Sequence, residues 1–199
     1  MEACYKLLIR DFKKEDEQGW LRCRVLAFLN TAYYDNVLNK KEVYEHPSIE
    51  LVAEIDGIIV GLIDVEYEVE EGTVCSRGNG LGGMIWHIAV HPDYARKGIG
   101  ENLLKYAEKR ATELNLNRFE AWTRDDEWVQ DWYKKMGFNQ VESYYHLYFE
   151  GNEMNNRIAT NVSNLFPIST FAHYVSNDIE EFNTITRKHQ CICYEKYFK

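Results

Sequence analysis

The segment from Met84 to Leu114 constrains the fold of this 199-residue chain more than any other. An apolar run, Met84 to Val90, is stopped by Pro92, and Gly98-Ile99-Gly100 follows shortly after. From Ile99 onward, apolar residues recur at helical spacing, with charged residues on the other side. The segment therefore predicts a strand, a turn and an amphipathic helix whose first N–H groups have no partner within the helix.

The start of this helix is a candidate phosphate-binding site. Free N–H groups and the helix dipole favour an anion there, and Arg96 and Lys97 lie just before the glycines. The glycines also let a pyrophosphate approach the backbone. Two other phosphate motifs are missing, because the chain has no Gly-x-x-x-x-Gly-Lys-Ser/Thr and Leu103 stands where Gly-x-Gly-x-x-Gly needs its third glycine. Taken alone, a Gly-x-Gly loop also fits a turn that merely begins a helix.

Two motifs in the right order resemble the GNAT family of N-acetyltransferases. Residues 88–104, IAVHPDYARKGIGENLL, resemble motif A of that family, and residues 132–138, WYKKMGF, resemble its motif B. The resemblance implies a mixed α/β fold, with a mostly antiparallel twisted sheet of about seven strands, splayed between the fourth and fifth, and helices on both faces. It also implies direct transfer of an acetyl group from acetyl-CoA to a primary amine.

The resemblance implies a set of cofactor-binding residues. In the family, the backbone of the motif A strand pairs with the pantetheine arm and the thioester carbonyl, and the following loop holds the pyrophosphate. The family usually has Gln or Arg where this chain has Ala95, so a side-chain contribution would shift to Arg96 or Lys97. The residues implied here are Ile88, Ala89, Val90, Ala95, Arg96, Lys97, Gly98, Ile99, Gly100 and Glu101.

Tyr133 is the predicted general acid. In the family, the tyrosine of motif B protonates the departing CoA thiolate, and a phenol with its ordinary pKa near 10 is protonated at neutral pH. The alternative is an aromatic core residue on the helix.

The general base is left open by the sequence. Some family members place Glu or His on the motif A strand at positions that are Met84 and Trp86 here. His87 is adjacent, but strict alternation turns it to the other face unless the strand contains a bulge. Asp64 and Glu66 on the preceding strand are further candidates, or anchors for a cationic acceptor, and we expect both to leave the core.

The rest of the chain predicts one domain, residues 1–199, with an insertion at about 151–188 before the last strand. The insertion is aromatic and acidic in part, and either covers the acceptor pocket or forms a homodimer contact. The other predicted elements are a strand at 5–9, helices at 15–29, 36–45 and 126–136, a hairpin around Asp56-Gly57, a mobile glycine-rich loop at 72–83, and strands at 118–123, 141–149 and 191–198.

Charge and composition limit the partners. The net charge is −9, and no basic stripe is visible, which disfavours a nucleic-acid partner and favours a cationic small-molecule or basic peptide acceptor. The apolar runs are too short for a membrane span, and the first residues lack the features of a signal peptide, so we expect a cytoplasmic protein without a membrane partner.

Cysteine usage predicts neither disulfides nor a metal site. The five cysteines are an odd number in a chain without secretory features, which favours reduced thiols. Cys191-x-Cys193 beside His189 lacks a second pair of ligands, and a structural zinc needs four. A second functional hypothesis is a GNAT-fold acyl-CoA sensor without activity, because neither Met84 nor Trp86 is an acid or a histidine.

Overall fold

The computed structural model describes residues 6–155, 157–176 and 178–198, so Cys4 lies outside the described residues. Eight strands form one sheet in the order β1-β2-β3-β4-β5-β8-β6-β7. Along the chain the elements are β1 (Leu8–Asp11), α1 (Glu17–Phe28), β2 (Ser48–Ile55), β3 (Ile58–Tyr67), β4 (Gly82–Val90), α2 (Ile99–Glu113), β5 (Arg118–Thr123), α3 (Glu127–Lys135), β6 (Asn139–Glu150), β7 (Ser169–Tyr174) and β8 (Arg187–Tyr197).

Helices cover both faces of the sheet, as the resemblance implied. α2 and α3 lie on one face, where their apolar residues join those of β2, β3 and β5 in the largest buried cluster. α1 covers the opposite face, where Trp20 and Cys23 pack against Leu62 of β3 and Ala89 of β4. Neighbouring residues of one strand therefore pack into different hydrophobic clusters: Leu62 faces α1 and Ile63 faces α2.

The sheet is split between β4 and β5. These two strands run parallel and pair only from Gly82↔Arg118 to Ile85↔Ala121, whereas every other neighbouring pair in the described sheet is antiparallel. Beyond Ile85 the strands separate, which confirms the predicted splay. We call the gap between Trp86–Val90 of β4 and the end of β5 the cleft.

The predicted hairpin is confirmed. Asp56 and Gly57 both have positive φ, 51° and 80°, as a two-residue turn between right-twisted strands requires.

The predicted helix at 36–45 is wrong, because this segment is an extended loop in which only short bends occur. Its apolar residues do not form a face, since Val37 and Val43 are both exposed. Its polar groups instead bind other elements: the Lys41 ammonium pairs with Asp64 at 2.8 Å, and the Tyr44 hydroxyl donates to Asp64 at 3.0 Å. Tertiary polar contacts have replaced the local hydrogen bonds of a helix.

The β3–β4 loop has defined partners, contrary to the predicted mobile loop. The buried carboxylate of Glu68 accepts hydrogen bonds from the backbone N–H groups of Gly72, Cys75 and Gly82 at 2.8 to 3.0 Å. Glu120 of β5 likewise accepts from Arg77 N–H at 3.0 Å. These carboxylates hold the loop by its backbone, which glycine-rich composition does not reveal.

Arg118 lies at the centre of this loop, almost fully buried. Its guanidinium is 3.6 to 3.9 Å from the carboxylates of Glu68, Glu120 and Glu195. Two buried acids and one partly buried acid thus surround one buried cation, and removing that cation would leave them without compensation.

The insertion adds a strand to the sheet, which has eight strands where about seven were expected. Its β7 pairs with β6, from Tyr145↔Tyr174 to Glu150↔Ser169. A separate apolar cluster, including Phe149, Met154 and Ile185, fixes the insertion against β6.

No helix in the described part of the chain is long and apolar enough to cross a membrane.

Arg118→Met should lower the free energy of unfolding by about 3–5 kcal/mol, because it leaves buried carboxylates unpaired. The control is Arg110→Met, which breaks an exposed ion pair with Asp11 and should cost no more than about 1 kcal/mol. Urea unfolding of both variants measures the difference. Equal losses would contradict the structural role of Arg118.

Candidate active site

The N-terminus of α2 opens toward solvent. Gly98 is its cap residue and has φ 75°, a left-handed conformation that favours glycine. The first helical hydrogen bond runs from Asn102 N–H to Gly98 C=O at 3.0 Å, so the N–H groups of Ile99, Gly100 and Glu101 point beyond the helix end. Residues 95–98 are exposed, and Arg96 has positive φ, 61°. This loop and helix end can hold an anion such as a pyrophosphate.

The side chains of this loop are already engaged in part. The Lys97 ammonium lies 5.0 Å from the ring centre of Tyr94, and Glu101 accepts a hydrogen bond from Lys105 at 2.7 Å. The Glu101 carboxylate has no hydrogen to donate to an anion, whereas the backbone N–H groups of this loop can donate to one.

The edge of β4 beside the cleft presents unpaired backbone groups. His91 N–H donates to Val60 C=O of β3 at 2.9 Å, so alternation directs the backbone of Ala89 toward β3 and that of Ile88 and Val90 toward the cleft. Ala89 also buries its side chain under α1. Ile88 and Val90 thus carry N–H and C=O groups that no strand within the described residues pairs on the cleft side.

Gly100 joins the two parts of this surface. A Cβ placed on it would lie 3.6 Å from both Val90 and Trp132, which is ordinary contact. The helix start, the free edge of β4 and α3 therefore meet at one position, which any larger side chain at Gly100 would begin to fill.

Tyr133 of α3 lies in the main hydrophobic core and is 4% exposed. Its ring stacks on Tyr194 at 5.3 Å and packs edge-on against Phe138 at 5.2 Å. Burial raises the pKa of its hydroxyl well above the ordinary value, so the phenol stays protonated at neutral pH. The core position and the predicted proton donor are compatible.

A bulge in β4 determines where His87 points. Asp64 pairs with His87 and Val65 pairs with Ile85, so Trp86 is the extra residue. Directly paired residues share a face, so His87 lies on the α1 face beside Asp64. Without the bulge, alternation would have placed Trp86 on that face and His87 on the other one. Trp86 itself is 50% exposed.

His87 has partners on both ring nitrogens. Arg24 Nε donates to Nδ1 at 3.3 Å, which leaves the proton on Nε2, and Nε2 contacts the carboxylate of Glu42. This hydrogen bond lowers the pKa of Glu42 and keeps it ionised. Glu42 is the more accessible of the two, since 46% of its side chain is exposed.

Asp64 and Glu66 were expected to leave the core, and this is wrong. Asp64 is fully buried, pairs with Lys41 at 2.8 Å and accepts from Tyr44 at 3.0 Å. Burial raises its pKa, and Lys41 opposes that shift. Glu66 accepts from His46 N–H at 2.8 Å and from Trp86 Nε1 at 2.7 Å. Residues 41–46 and Trp86 supply these partners, so both acids stay inside.

Comparison with known proteins identifies the family. Residues 1–138 match the profile of the acetyltransferase (GNAT) family. The chain belongs to the GNAT acetyltransferase family. An acetyltransferase of Pectobacterium atrosepticum is 27% identical over 139 residues, which is 67% of this chain and 89% of that protein.

Solved structures share the fold. The ribosomal-protein-S18-alanine N-acetyltransferase of Escherichia coli superposes with a TM-score of 0.61 at 12% identity, covering 96% of this chain and 94% of that one. The PaiA N-acetyltransferase of Thermoplasma acidophilum, solved with coenzyme A, has a TM-score of 0.53 at 15% identity over 68% of this chain and 91% of that one. At these identities, the likeness extends to the fold alone.

Sequence reasoning missed several polar residues of this GNAT acetyltransferase. Arg24 lies inside a helix, Glu42 and Lys41 lie in the loop predicted as a helix, and Arg124 follows β5. Each binds residues far away in the chain, and no local motif marks them. For the Cys191-x-Cys193 segment, the described residues contain no group of three or more His, Cys, Asp or Glu that could hold a metal.

His146 should make stability depend on pH. Burial, then Arg124, His173 and His189, lower its pKa to about 3 from 6.5. Between those values the unfolded chain binds a proton that the folded chain does not. The contribution of neutral His146 to the free energy of unfolding is therefore complete above pH 6.5 and declines as the pH falls. His146→Gln does not titrate, and its stability deficit relative to wild type should shrink from pH 7.5 to 5 in urea unfolding. A constant deficit would contradict the shift.

Proposed function

We propose that this GNAT acetyltransferase binds acetyl-CoA and transfers the acetyl group directly to a primary amine of a small molecule or peptide. One observation carries the proposal: the free backbone edge of Ile88 and Val90 lies beside an open helix N-terminus whose cap, Gly98, is in the left-handed conformation. Coenzyme A in the PaiA neighbour is consistent with it.

The residues present fit this co-substrate. The N–H groups of residues 99–101 would hold the pyrophosphate, and the edge of β4 would pair with the pantetheine arm, which carries amides of its own. A β4 N–H directed into the cleft would stabilise negative charge on the thioester oxygen. Acetyl-CoA supplies the activated carbonyl.

The transfer requires two proton movements. The amine nitrogen bonds to the carbonyl carbon, the carbon–sulfur bond breaks, the nitrogen loses a proton and the sulfur gains one. Tyr133 is proposed to protonate the sulfur, because its phenol is protonated at neutral pH and its neighbour on α3, Trp132, lies beside Gly100 and Val90.

The amine is proposed to arrive from the α1 face, opposite the helix start that holds the pyrophosphate. That face carries the carboxylates of Glu42, Asp64 and Glu66 close to the cleft. His87, Asp64 and Glu66 remain the candidate bases, and their partners separate them by access. Asp64 is buried and paired with Lys41 and Tyr44, whereas His87 contacts Glu42, whose side chain is half-exposed. This acidic face favours a cationic acceptor.

The sensor hypothesis keeps one supporting observation. Asp64, Glu66 and His87 each already pair or hydrogen-bond with another side chain, so none of the three is free to take a proton from an amine. Binding of acetyl-CoA without transfer to any amine would favour that function.

Acetyl-CoA binding and thiol release test the proposal together. Calorimetry should detect acetyl-CoA binding, and a panel of amines should include a class that releases CoA thiol. Gly100→Val should weaken binding about tenfold or more, because its methyl groups enter the space beside Val90 and Trp132. Lys109→Val, a change at an exposed residue further along α2, should bind like wild type. Absence of binding by the wild-type protein would remove the proposed function.

Tyr133→Phe should lower kcat by about 10²-fold or more at unchanged acetyl-CoA affinity, since it removes the proton donor and keeps the packing. Tyr194→Phe is the matched control, because Tyr194 stacks on the same ring and its buried hydroxyl has no hydrogen-bond partner among the described residues. Equal kcat for wild type and Tyr133→Phe would assign the proton to another group.

A further inference from the structure

The loop after α1 crosses the α1 face of the cleft. We call residues 32–36 the strap. α1 lies over β4, where its last residue, Phe28, is 6.5 Å from His87 between ring centres. Only a few residues later, the strap contacts Arg124, which directly follows β5. The strap therefore connects the two strands that diverge around the cleft.

Arg124 fixes the strap on the β5 side. Its guanidinium donates to Ala32 C=O, to Tyr148 Oη and to His146 Nδ1, the last at 3.0 Å, and lies 4.2 Å from the ring centre of Tyr33. The backbone takes part as well, because Arg124 N–H donates to Tyr33 Oη at 3.1 Å. A buried cation with this many partners leaves the strap little freedom.

Asp126 adds a backbone tie. Ala32 N–H donates to its two carboxylate oxygens at 3.0 and 3.1 Å. Both main-chain groups of Ala32 are thus bound to residues that immediately follow β5.

Two further arginines hold the other end. On the β4 side, Arg24 donates to Asn36 C=O at 2.7 Å and also binds His87. On the far side, Arg187 of β8 forms a two-pronged ion pair with Asp35 at 2.6 and 2.9 Å, and its guanidinium lies 3.8 Å from the ring centre of Tyr148. The strap is therefore anchored on both walls of the cleft.

The insertion supports one of these walls. His173 of β7 stacks on His146 at 4.8 Å, and Phe171 packs edge-on against it at 5.0 Å. The predicted role of residues 151–188 beside the acceptor site is consistent with this contact, which acts through His146 on Arg124.

We propose that the strap restricts the acceptor to small-molecule amines and excludes the N-termini of peptides, with Arg124, Asp126 and Arg187 as its positioning residues. This inference rests on the proposed function. Acetyl-CoA enters from the face of α2, so the amine must reach the thioester across the α1 face. A peptide needs an open path there for the chain behind its amine. A small amine needs no such path, because it can approach the half-exposed side chains of Trp86 and Glu42 on that face.

Small amines and peptides that present the same primary amine group test this selectivity. Alkyl diamines and single amino-acid amides would be compared with pentapeptides that carry a free N-terminus, with CoA thiol release as the readout. Wild type should prefer its best small amine over its best pentapeptide by at least about 10²-fold in kcat/KM. Equal use of both acceptor classes would overturn the inference and leave the proposed function standing. No transfer to any amine would remove both.

Loosened variants show whether the strap causes the selectivity. Asp35→Ala and Asp126→Ala should each lower the preference for small amines about tenfold, mainly by lowering the KM for peptides. Hydrogen exchange at the Ala32 amide should be slow in wild type and fast in Asp126→Ala, whichever acceptor is present. Glu181→Ala, an exposed change in the insertion, is the control. A preference that both strap variants leave unchanged would contradict the assigned role.

Discussion

The separation of β4 from β5 is the constraint on which the rest of this structure depends. Backbone N–H and C=O groups require partners, and a central strand normally finds them on both sides. Beyond Ile85, β4 keeps its partners on β3 and loses those on β5. The free edge at Ile88 and Val90 must bind water or a ligand. A sheet with such an edge in its middle has fewer hydrogen bonds between strands, and it gains a surface that can bind a ligand.

The split also divides the sheet into two parts that need other connections. On one face, α2 and α3 provide them through a shared apolar cluster. On the other face, α1 covers only the first part, and arginines make the connection: Arg24 to β4, Arg124 beside β5 and Arg187 on β8 all bind residues 32–36. The apolar link leaves β4 and β5 apart where the pantetheine arm is proposed to bind, whereas the polar link fixes the shape of the opposite entrance.

Local signals predicted the parts of this fold that are locally determined. The turn at Asp56-Gly57, the strand at 118–123 and the helix that begins at Ile99 are encoded by neighbouring residues, and the structure has them. Asp64 and Glu66 were misplaced because their partners Lys41 and Tyr44 come from a segment that looked helical, and His46 directly follows it. The bulge at Trp86 has no signal of its own, yet it decides which face His87 occupies. Long-range polar contacts and strand irregularities are invisible to periodicity.

The polar cluster under α1 is difficult to explain as a source of stability. Asp64 is fully buried beside Lys41, and its Oδ1 has no hydrogen-bond partner among the described residues. Burying such a pair costs about as much as the pairing returns, and apolar residues of the same volume would serve the core equally well. The cluster lies beside His87 at the cleft, where the acceptor amine is proposed to arrive. The proposed reaction therefore explains its cost better than the fold does.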